Sequence, residues 1–319
     1  GSKARSEQLS VLNSVIHTMI TSPEVSDLLN EIDEDNNLIG WEKSNVKEIR
    51  SRWLKASAID TKLVIAFTRA RIKCEAKWRD AREKNNFRSL HQELTELIDL
   101  IRETGQAKAQ ALGLDLYDAL LHDFEPGFNS KEIDAIFDDL SNFLPDLTED
   151  VLTYQSHQSK PKEATGFFPI KKQIKLAKLL MGKIGFDFNH GRLDTSLHPF
   201  CGGNAEDIRI TTRYDENNFT SSMMGVLHET GHAIYERGLP EKWRNQPVGE
   251  ALGMGMHESQ SLLIEMQLCR SPEFLEYVSP YIQDIFSLDA EVANASNLFK
   301  LYPQVQPGYI RVEADEVSY

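Results

Sequence analysis

Hydrophobic positions recur three or four residues apart through most of residues 1–185, which is the spacing of amphipathic α-helices. Between residues 44 and 84 this spacing continues with few helix-breaking residues, which predicts one long helix or two nearly collinear helices. Farther along, Pro145 predicts a loop between one helix at about 130–140 and another at about 148–158. The pattern therefore predicts a mainly α protein that begins with long helices.

A period of two replaces the helical spacing only between residues 186 and 220. Hydrophobic and polar residues partly alternate in segments 186–194 and 207–214, and the second segment is rich in β-branched residues. We expect these segments to form two strands of a small sheet, with a turn at the Gly-Gly-Asn run 202–204 in their connection. An exposed edge of such a sheet offers a surface with which an extended peptide can pair.

The apolar run 221–238 predicts a buried helix that carries the pentad His-Glu-Thr-Gly-His. Residues four apart share one face of an α-helix, so the imidazoles of His228 and His232 can converge on one metal ion. Glu229 would then lie beside the ion as the general base that takes a proton from the attacking water. The spacing predicts the H-E-x-x-H site of a zinc hydrolase. Gly231 would allow another segment or a substrate to approach the helix backbone closely.

A catalytic zinc ion also needs a third protein ligand and an open position for water. The downstream candidates are Glu236, Glu241, Glu250, His257, Glu258 and Glu265. Glu250 and Glu258 bracket a glycine-rich stretch that leads into a second apolar helix, and spacing favours Glu258 over Glu250 only slightly. Residue spacing therefore leaves the third ligand open. Two imidazoles and one carboxylate suit zinc, although cobalt or another divalent ion can replace it.

Four further motifs accompany the pentad. They are His-Pro-Phe at 198–200, Asp-Ile-Arg-Ile-Thr at 207–211, His-Glu-Ser-Gln at 257–260 and Ile-Arg-Val-Glu-Ala-Asp at 310–315. With these motifs in this order, the chain resembles the carboxypeptidase Taq family of metallocarboxypeptidases. The resemblance implies a mainly α, helical zincin-type metallopeptidase in which a small β-sheet lies next to the H-E-x-x-H helix. It also implies that Glu258 is the third zinc ligand.

The activity implied by the resemblance is that of a zinc-dependent metallocarboxypeptidase, which releases C-terminal amino acids from peptides through attack by metal-activated water. Its substrates would be peptides with a free C-terminal carboxylate, a group that the planar guanidinium of arginine binds well. Arg209, Arg213 and Arg311 are the candidates, and the resemblance favours Arg209 and Arg311. It further implies that His198 lines the site as a hydrogen-bond donor to the substrate or to an oxyanion.

The resemblance also suggests how the chain is divided. We expect residues 1–185 to be an N-terminal helical region that forms one wall or lid of a groove, and residues 186–319 to be the catalytic metal-binding region. A Gly-x-x-Gln-Asp-x-His-Trp motif of the family is not found, so we expect a C-terminally truncated member. Two alternatives therefore stay open, namely a zinc endopeptidase on the same scaffold and an inactive fragment.

Composition narrows the range of partners and compartments. A net charge of −14 argues against nucleic acid and anionic membranes as partners, because both require clustered cationic residues. No apolar run reaches the length of a membrane span. The three cysteines are far apart and odd in number, which indicates a reducing compartment and thus a cytoplasmic protein. The resemblance implies a homodimer.

Overall fold

The computed structural model describes residues 2–33, 37–196 and 198–308, and these residues form a mainly α fold, as predicted. The α-helices are α1 Ser2–Ile20, α2 Pro23–Asp33, α3 Gly40–Ser57, α4 Thr61–Glu83, α5 His91–Leu112, α6 Leu116–Leu121, α7 Ser130–Ser156, α8 Ile170–Ile184, α9 Phe219–Gly238, α10 Met254–Leu262, α11 Pro272–Phe286, α12 Ala290–Ala293 and α13 Ala295–Leu301. The strands are β1 Gly191–Thr195, β2 Phe200–Asn204 and β3 Asp207–Thr212. No described helix is both long enough and apolar enough to cross a membrane.

The chain packs as two compact units. One comprises the described residues of Gly1–Glu132 together with Asn245–Val248, and the other those of Ile133–Arg244 and Gly249–Tyr319. All the candidate metal ligands belong to the second unit. We predict that residues 1–185 form one wall or lid of a groove and that residues 186–319 form the catalytic region. This assignment stays a prediction.

In the first unit, the helical stretch predicted at 44–84 is two helices, α3 and α4, with a break at residues 58–60. The ring of His17 stabilises the end of α3, because its Nε2 atom lies 3.0 Å from the carbonyl oxygen of Ala56 and 2.9 Å from that of Ile59. Asp60 then caps α4 by accepting a hydrogen bond from the backbone N–H of Leu63. The break therefore arises from local capping interactions that hydrophobic spacing does not reveal.

The predicted loop at Pro145 is wrong, because α7 continues from Ser130 to Ser156 with Pro145 inside it. A proline within a helix removes the hydrogen bond to the carbonyl four residues earlier, here that of Ser141. Both Pro145 and Ser141 are exposed, so water can bind the carbonyl that proline leaves without a helical donor. Exposure on the solvent side thus explains why the helix tolerates this residue.

The small sheet contains the two predicted strands, β1 and β3, and a third strand, β2, in the order β1-β3-β2, with β1 parallel and β2 antiparallel to β3. The predicted turn at 202–204 is also wrong, because these residues form the end of β2. Gly203 has a φ of +107°, and a Cβ there would collide with the carbonyl oxygen of Asp207. Glycine is therefore required at this position by close strand pairing, and the turn follows at Asn204, whose side chain accepts from the N–H groups of Glu206 and Asp207.

The helix of the pentad, α9, is the centre of the second unit. Asn218 caps its first turn by accepting a hydrogen bond from the N–H of Ser221. One face of the sheet covers α9, since buried side chains of β3 pack with those of α8 and α9. This core comprises Ala177, Met181, Phe186, Ile208, Ile210, Val226 and Ala233. The predicted small sheet next to the H-E-x-x-H helix is therefore confirmed.

Candidate metal centre

Helices α9 and α10 lie in close backbone contact at Gly231. A Cβ atom at this position would lie 2.5 Å from the carbonyl oxygen of Gln260 and 2.6 Å from the Cα of Ser261. Both neighbours are backbone atoms, so a side chain of any size would push the helices apart. The absence of a side chain at Gly231 therefore allows α10 to cross α9 within the pentad, which brings Glu258 to the histidines.

The side chains of His228, His232 and Glu258 form a cluster in which one potential ligand atom from each lies within 4.8 Å of the other two. The Oε2 atom of Glu258 is 3.5 Å from Nε2 of His228 and 3.2 Å from Nε2 of His232. In a tetrahedral zinc site with bonds of about 2.0–2.1 Å, neighbouring ligand atoms are about 3.3 Å apart. The spacing and the chemistry of these three groups therefore fit a zinc ion.

Each histidine of the cluster has its other ring nitrogen engaged in a hydrogen bond. His228 Nδ1 lies 2.8 Å from Oε2 of Glu265, and His232 Nδ1 lies 3.1 Å from the carbonyl oxygen of His257. Glu265 lies on the π-helical segment Leu263–Leu268, which follows α10. In the neutral form of each ring, an acceptor at Nδ1 places the proton there and leaves Nε2 for a metal ion.

A third imidazole, that of His257, stacks at a tilt against His232, with ring centroids 4.5 Å apart. Its Nδ1 atom is 2.6 Å from Nδ1 of His232, and its Nε2 atom is 2.7 Å from Oε1 of Glu236. Among the residues that the structure describes, the metal-type cluster contains His228, His232 and Glu258 but neither His257 nor Glu236. His257 therefore contacts the candidate ligand His232, and Glu236 contacts His257, but neither residue is a member of the cluster.

Glu229, which we predict to be the general base, is 8% exposed. Burial raises the pKa of its carboxyl group to about 7; the charge of His228 opposes this shift, and the negative charges of Glu258 and Glu265 add to it. A carboxyl group with a pKa near neutrality is suited to accept a proton and to return it. Glu229 is therefore a buried carboxyl group with a pKa near neutrality in the metal-free protein, and its role as general base stays a prediction.

The two histidines differ in their protonation behaviour. Burial lowers the pKa of His232 to about 4, and electrostatic interactions with the rings of His228 and His257 lower it further. Burial also acts against protonation of His228, but the hydrogen bond and the charge of Glu265 outweigh it and raise the pKa of His228. His232 is therefore held neutral in the metal-free protein, whereas a metal ion has to compete with a proton at His228.

The other residues considered as third ligands lie elsewhere or act differently. Glu241 and Glu250 are exposed, and neither belongs to the metal-type cluster among the described residues. Glu265 and His257 contact the rings of His228 and His232 through hydrogen bonds, and Glu236 contacts His257. Sequence spacing identified these side chains as candidates but did not reveal that Glu265 and His257 contact the rings of the candidate ligands.

The predicted substrate-binding residues are spread over several segments. Arg209 is exposed and donates a hydrogen bond of 2.6 Å to Asp207, on the sheet face opposite to Ile208 and Ile210. His198 is exposed in the connection between β1 and β2. Arg311 lies outside the described residues. The substrate-binding roles of these three residues stay predictions.

Cys201 indicates which part of the sheet is near Glu229. It pairs with Ile210 of β3, so its side chain shares the face that packs against α9. Burial raises the pKa of the Cys201 thiol to about 12, and the negative charges of Glu229 and Glu236 contribute to the shift. Strand β2, at one edge of the sheet, therefore runs beside the general-base candidate.

Comparison with known proteins supports this architecture. The family model described as carboxypeptidase Taq (M32) metallopeptidase matches residues 1–319. Among curated proteins, thermostable carboxypeptidase 1 of Thermus thermophilus is 33% identical, and carboxypeptidase 1 of Bacillus subtilis is 30% identical. Each match covers 100% of this chain and 64% of the relative, so the chain spans less than two thirds of their length.

Solved structures agree with the sequence relatives. Metallocarboxypeptidase 1 of Trypanosoma cruzi superposes with a TM-score of 0.90 at 37% identity, over 99% of this chain and 64% of that one. The M32 carboxypeptidase of Deinococcus radiodurans R1 superposes with a TM-score of 0.86 at 26% identity, over 99% of this chain and 63% of that one. The helical fold with its small sheet is therefore shared with these proteins.

Proposed function

Since the chain belongs to the carboxypeptidase Taq (M32) metallopeptidase family, we propose that it is a zinc-dependent metallocarboxypeptidase that releases C-terminal amino acids from peptides. The observation that carries the proposal is the convergence of His228 Nε2, His232 Nε2 and Glu258 Oε2 at the spacing of a zinc site. The names of the relatives support the peptidase assignment, and each refers to a carboxypeptidase.

His228, His232 and Glu258 are the residues that would hold the metal ion. Two neutral imidazoles and one carboxylate favour zinc, although cobalt or another divalent ion suits the same ligands. When bound, a divalent ion supplies a Lewis acid that polarises the scissile carbonyl and makes water more acidic. The hydrogen bonds from the rings to Glu265 and to the carbonyl of His257 orient the two imidazoles for this purpose.

Glu229 is the residue to which we assign proton transfer. As a carboxylate it takes a proton from the attacking water, and it then passes this proton to the amine that leaves when the peptide bond breaks. Its burial and its position directly after His228 on α9 support the assignment. No covalent intermediate is needed.

Substrate binding is assigned to the sheet and to basic side chains. In the described part of the chain, β2 is an outer strand of the sheet, and the charge of Glu229 acts on its residue Cys201. We propose that an extended peptide adds to this strand through main-chain hydrogen bonds. We propose Arg311 and Arg209 as the groups that bind the terminal carboxylate, and His198 as a further hydrogen-bond donor. Binding by Arg209 requires the substrate to compete with Asp207, to which its guanidinium is bonded.

We also propose a cytoplasmic location and a homodimeric assembly. The location is supported by the cysteines, since Cys74, Cys201 and Cys269 are all free thiols, as a reducing compartment favours. The homodimer is supported by the family resemblance alone. Size-exclusion chromatography with light scattering tests the assembly, and a monomeric mass at all concentrations would contradict it.

The test of the activity compares one peptide with a free C-terminus and the same peptide with an amidated C-terminus. We expect zinc-loaded protein to release single residues from the free peptide only, and the Glu229→Gln variant to release none. Equal cleavage of both peptides would instead identify an endopeptidase. If hydrolysis does not depend on Glu229 while the protein binds zinc, the assignment as an enzyme is wrong for this chain.

A further inference from the structure

We infer that Glu236 and His257 are a positioning pair that fixes the proton of His232 on Nδ1 and so keeps its Nε2 atom available to a metal ion. The inference deepens the proposed function, on which it rests by taking His232 as a metal ligand. Neither Glu236 nor His257 belongs to the metal-type cluster among the described residues, and neither has a role in the proposed reaction.

Glu236 determines which nitrogen of His257 carries the proton. Its Nε2 atom lies 2.7 Å from Oε1 of Glu236, which is a hydrogen-bond distance. An ionised carboxylate has no proton to donate, so His257 has to donate through Nε2. A neutral imidazole carries one N–H group and one acceptor nitrogen, so Nδ1 of His257 becomes an acceptor. Glu236 therefore selects the tautomer of His257.

The tautomer of His257 in turn determines the tautomer of His232. The Nδ1 atoms of the two rings are only 2.6 Å apart, and two N–H groups cannot face each other at this distance. Because Nδ1 of His257 is the acceptor, Nδ1 of His232 has to carry the proton. The carbonyl oxygen of His257, at 3.1 Å, accepts from the same N–H group. The lone pair of His232 is thus left on Nε2, which faces Glu258 Oε2 at 3.2 Å.

The pair is held in place by the elements that carry the ligands themselves. Glu236 lies one helical turn after His232 on α9, and His257 directly precedes Glu258 on α10. The ring of Tyr235 contacts His257 edge-on, with centroids 5.3 Å apart and planes at 90°. His228 is oriented differently, because Glu265 contacts its ring directly. Glu265 therefore orients His228, whereas the carbonyl oxygen of His257 and the Glu236–His257 pair together orient His232.

The experiment uses two matched substitutions at one position. The side-chain amide of Asn places its oxygen near the position of Nδ1, so His257→Asn keeps an acceptor for His232. The amide of Gln reaches the position of Nε2 instead, so His257→Gln keeps a partner for Glu236 but loses that acceptor. Glu236→Ala removes the carboxylate, and Glu241→Ala is the control for the loss of one negative charge at an exposed site.

Two measurements are made on each purified protein. Zinc affinity is measured by competition with a chromophoric chelator, and the tautomer of His232 is read in metal-free protein from long-range ¹H–¹⁵N correlations of the imidazole. We expect Glu236→Ala and His257→Gln to bind zinc about 10–100-fold more weakly, as is usual when the hydrogen-bond partner of a ligand is lost. In both, part of the His232 population should carry its proton on Nε2. His257→Asn and Glu241→Ala should match the unsubstituted protein.

The inference is overturned if Glu236→Ala and His257→Gln keep the zinc affinity and the His232 tautomer of the unsubstituted protein. It is also overturned if His257→Asn loses as much affinity as His257→Gln, because packing of the ring would then explain both. Failure of the proposed function is a separate result. It would appear as normal zinc binding without hydrolysis, or as zinc binding that survives His228→Ala.

Discussion

His228 donates a hydrogen bond from Nδ1 to Oε2 of Glu265 over 2.8 Å, although the two residues lie on different helical segments. The other oxygen of Glu265 is 3.6 Å from Nη2 of Arg270, and both side chains are largely buried. The carboxylate is therefore held between a cation and the imidazole. This arrangement sets the tautomer of His228 directly and leaves its Nε2 atom for the metal ion.

Replacing Glu265 by alanine should weaken zinc binding about 10–100-fold, because the ring of His228 loses the acceptor that orients it. Chelator competition at constant pH measures the change. Glu276→Ala is a suitable control, since it removes an exposed carboxylate from α11. Equal affinity of the two variants would show that Glu265 does not orient the ligand.

Substituting alanine at Gly231 should destabilise the protein, because the new Cβ would lie 2.5 Å from the carbonyl oxygen of Gln260. Overpacking of this kind costs about 1–3 kcal/mol, and here the neighbours are backbone atoms that cannot rotate away. Denaturant unfolding gives the free energy, and metal analysis shows whether the cluster still binds zinc.

Gly225 provides the matched control on the same helix, since a Cβ there has no neighbour within 4 Å. Gly225→Ala should stabilise the protein by about 0.5–1 kcal/mol through helix propensity alone. If both alanine variants proved equally stable, the close approach of α10 to α9 at Gly231 would not be the constraint that we describe.

Removing the charge of Glu229 should stabilise the metal-free protein at alkaline pH. Its pKa of about 7 lies above the ordinary value near 4.3, so between these pH values the native chain holds a proton that the unfolded chain has released. Stability therefore falls as the pH rises through this window, and the full loss is present above pH 7. At about 1.4 kcal/mol per pKa unit, the loss is about 4 kcal/mol.

Urea unfolding of metal-free Glu229→Gln and of the unsubstituted protein, at pH 4.5 and pH 8, tests this expectation. Glutamine is nearly isosteric and stays neutral, so the variant should be the more stable protein at pH 8, with a much smaller difference at pH 4.5. A variant that is less stable at pH 8 would show that the buried carboxylate is well compensated by its surroundings.

The thiols should be unreactive in the native protein at pH 8. Burial raises the pKa of all three cysteines, and that of Cys201 reaches about 12 because the charges of Glu229 and Glu236 add to the effect of burial. Since the thiolate is the reacting form, a disulfide reagent should modify the native chain far more slowly than the denatured one. Rapid labelling that disappears in Cys201→Ser would contradict the raised pKa of Cys201.

The candidate site could be predicted from the sequence as far as local helical geometry determines it. The four-residue separation of His228 and His232 places both rings on one face whatever the rest of the fold does. The third ligand depends on how a second helix crosses the first, which spacing does not determine, and family resemblance was needed to choose Glu258 over Glu250. In the structure, Glu258 lies in the cluster and Glu250 is exposed.

The sequence identified which side chains lie near the candidate metal site better than it identified what each of them does there. Glu265 and His257 are side chains of metal-binding type near the ligands, so spacing cannot distinguish them from ligands. The distinction comes from which ring nitrogen they contact, and only the packing of α9 against α10 and the π-helical segment determines this. The predictions of a loop at Pro145 and of a turn at Gly203 were wrong for a related reason. Exposure to solvent at Pro145 and close strand pairing at Gly203 override the usual preferences of proline and glycine.

Gly231 also bears on how the pentad is interpreted in other sequences. The general H-E-x-x-H pattern treats its third and fourth positions as unrestricted, yet here Thr230 is fully buried and residue 231 has no room for a methyl group. A pentad with a larger fourth residue would still present two imidazoles, but a carboxylate on a helix crossing at this distance could not reach them. The fourth residue of the pentad thus indicates whether a helix that crosses at this distance can supply the third ligand. Chains with Gly at this position can be grouped separately from those without it.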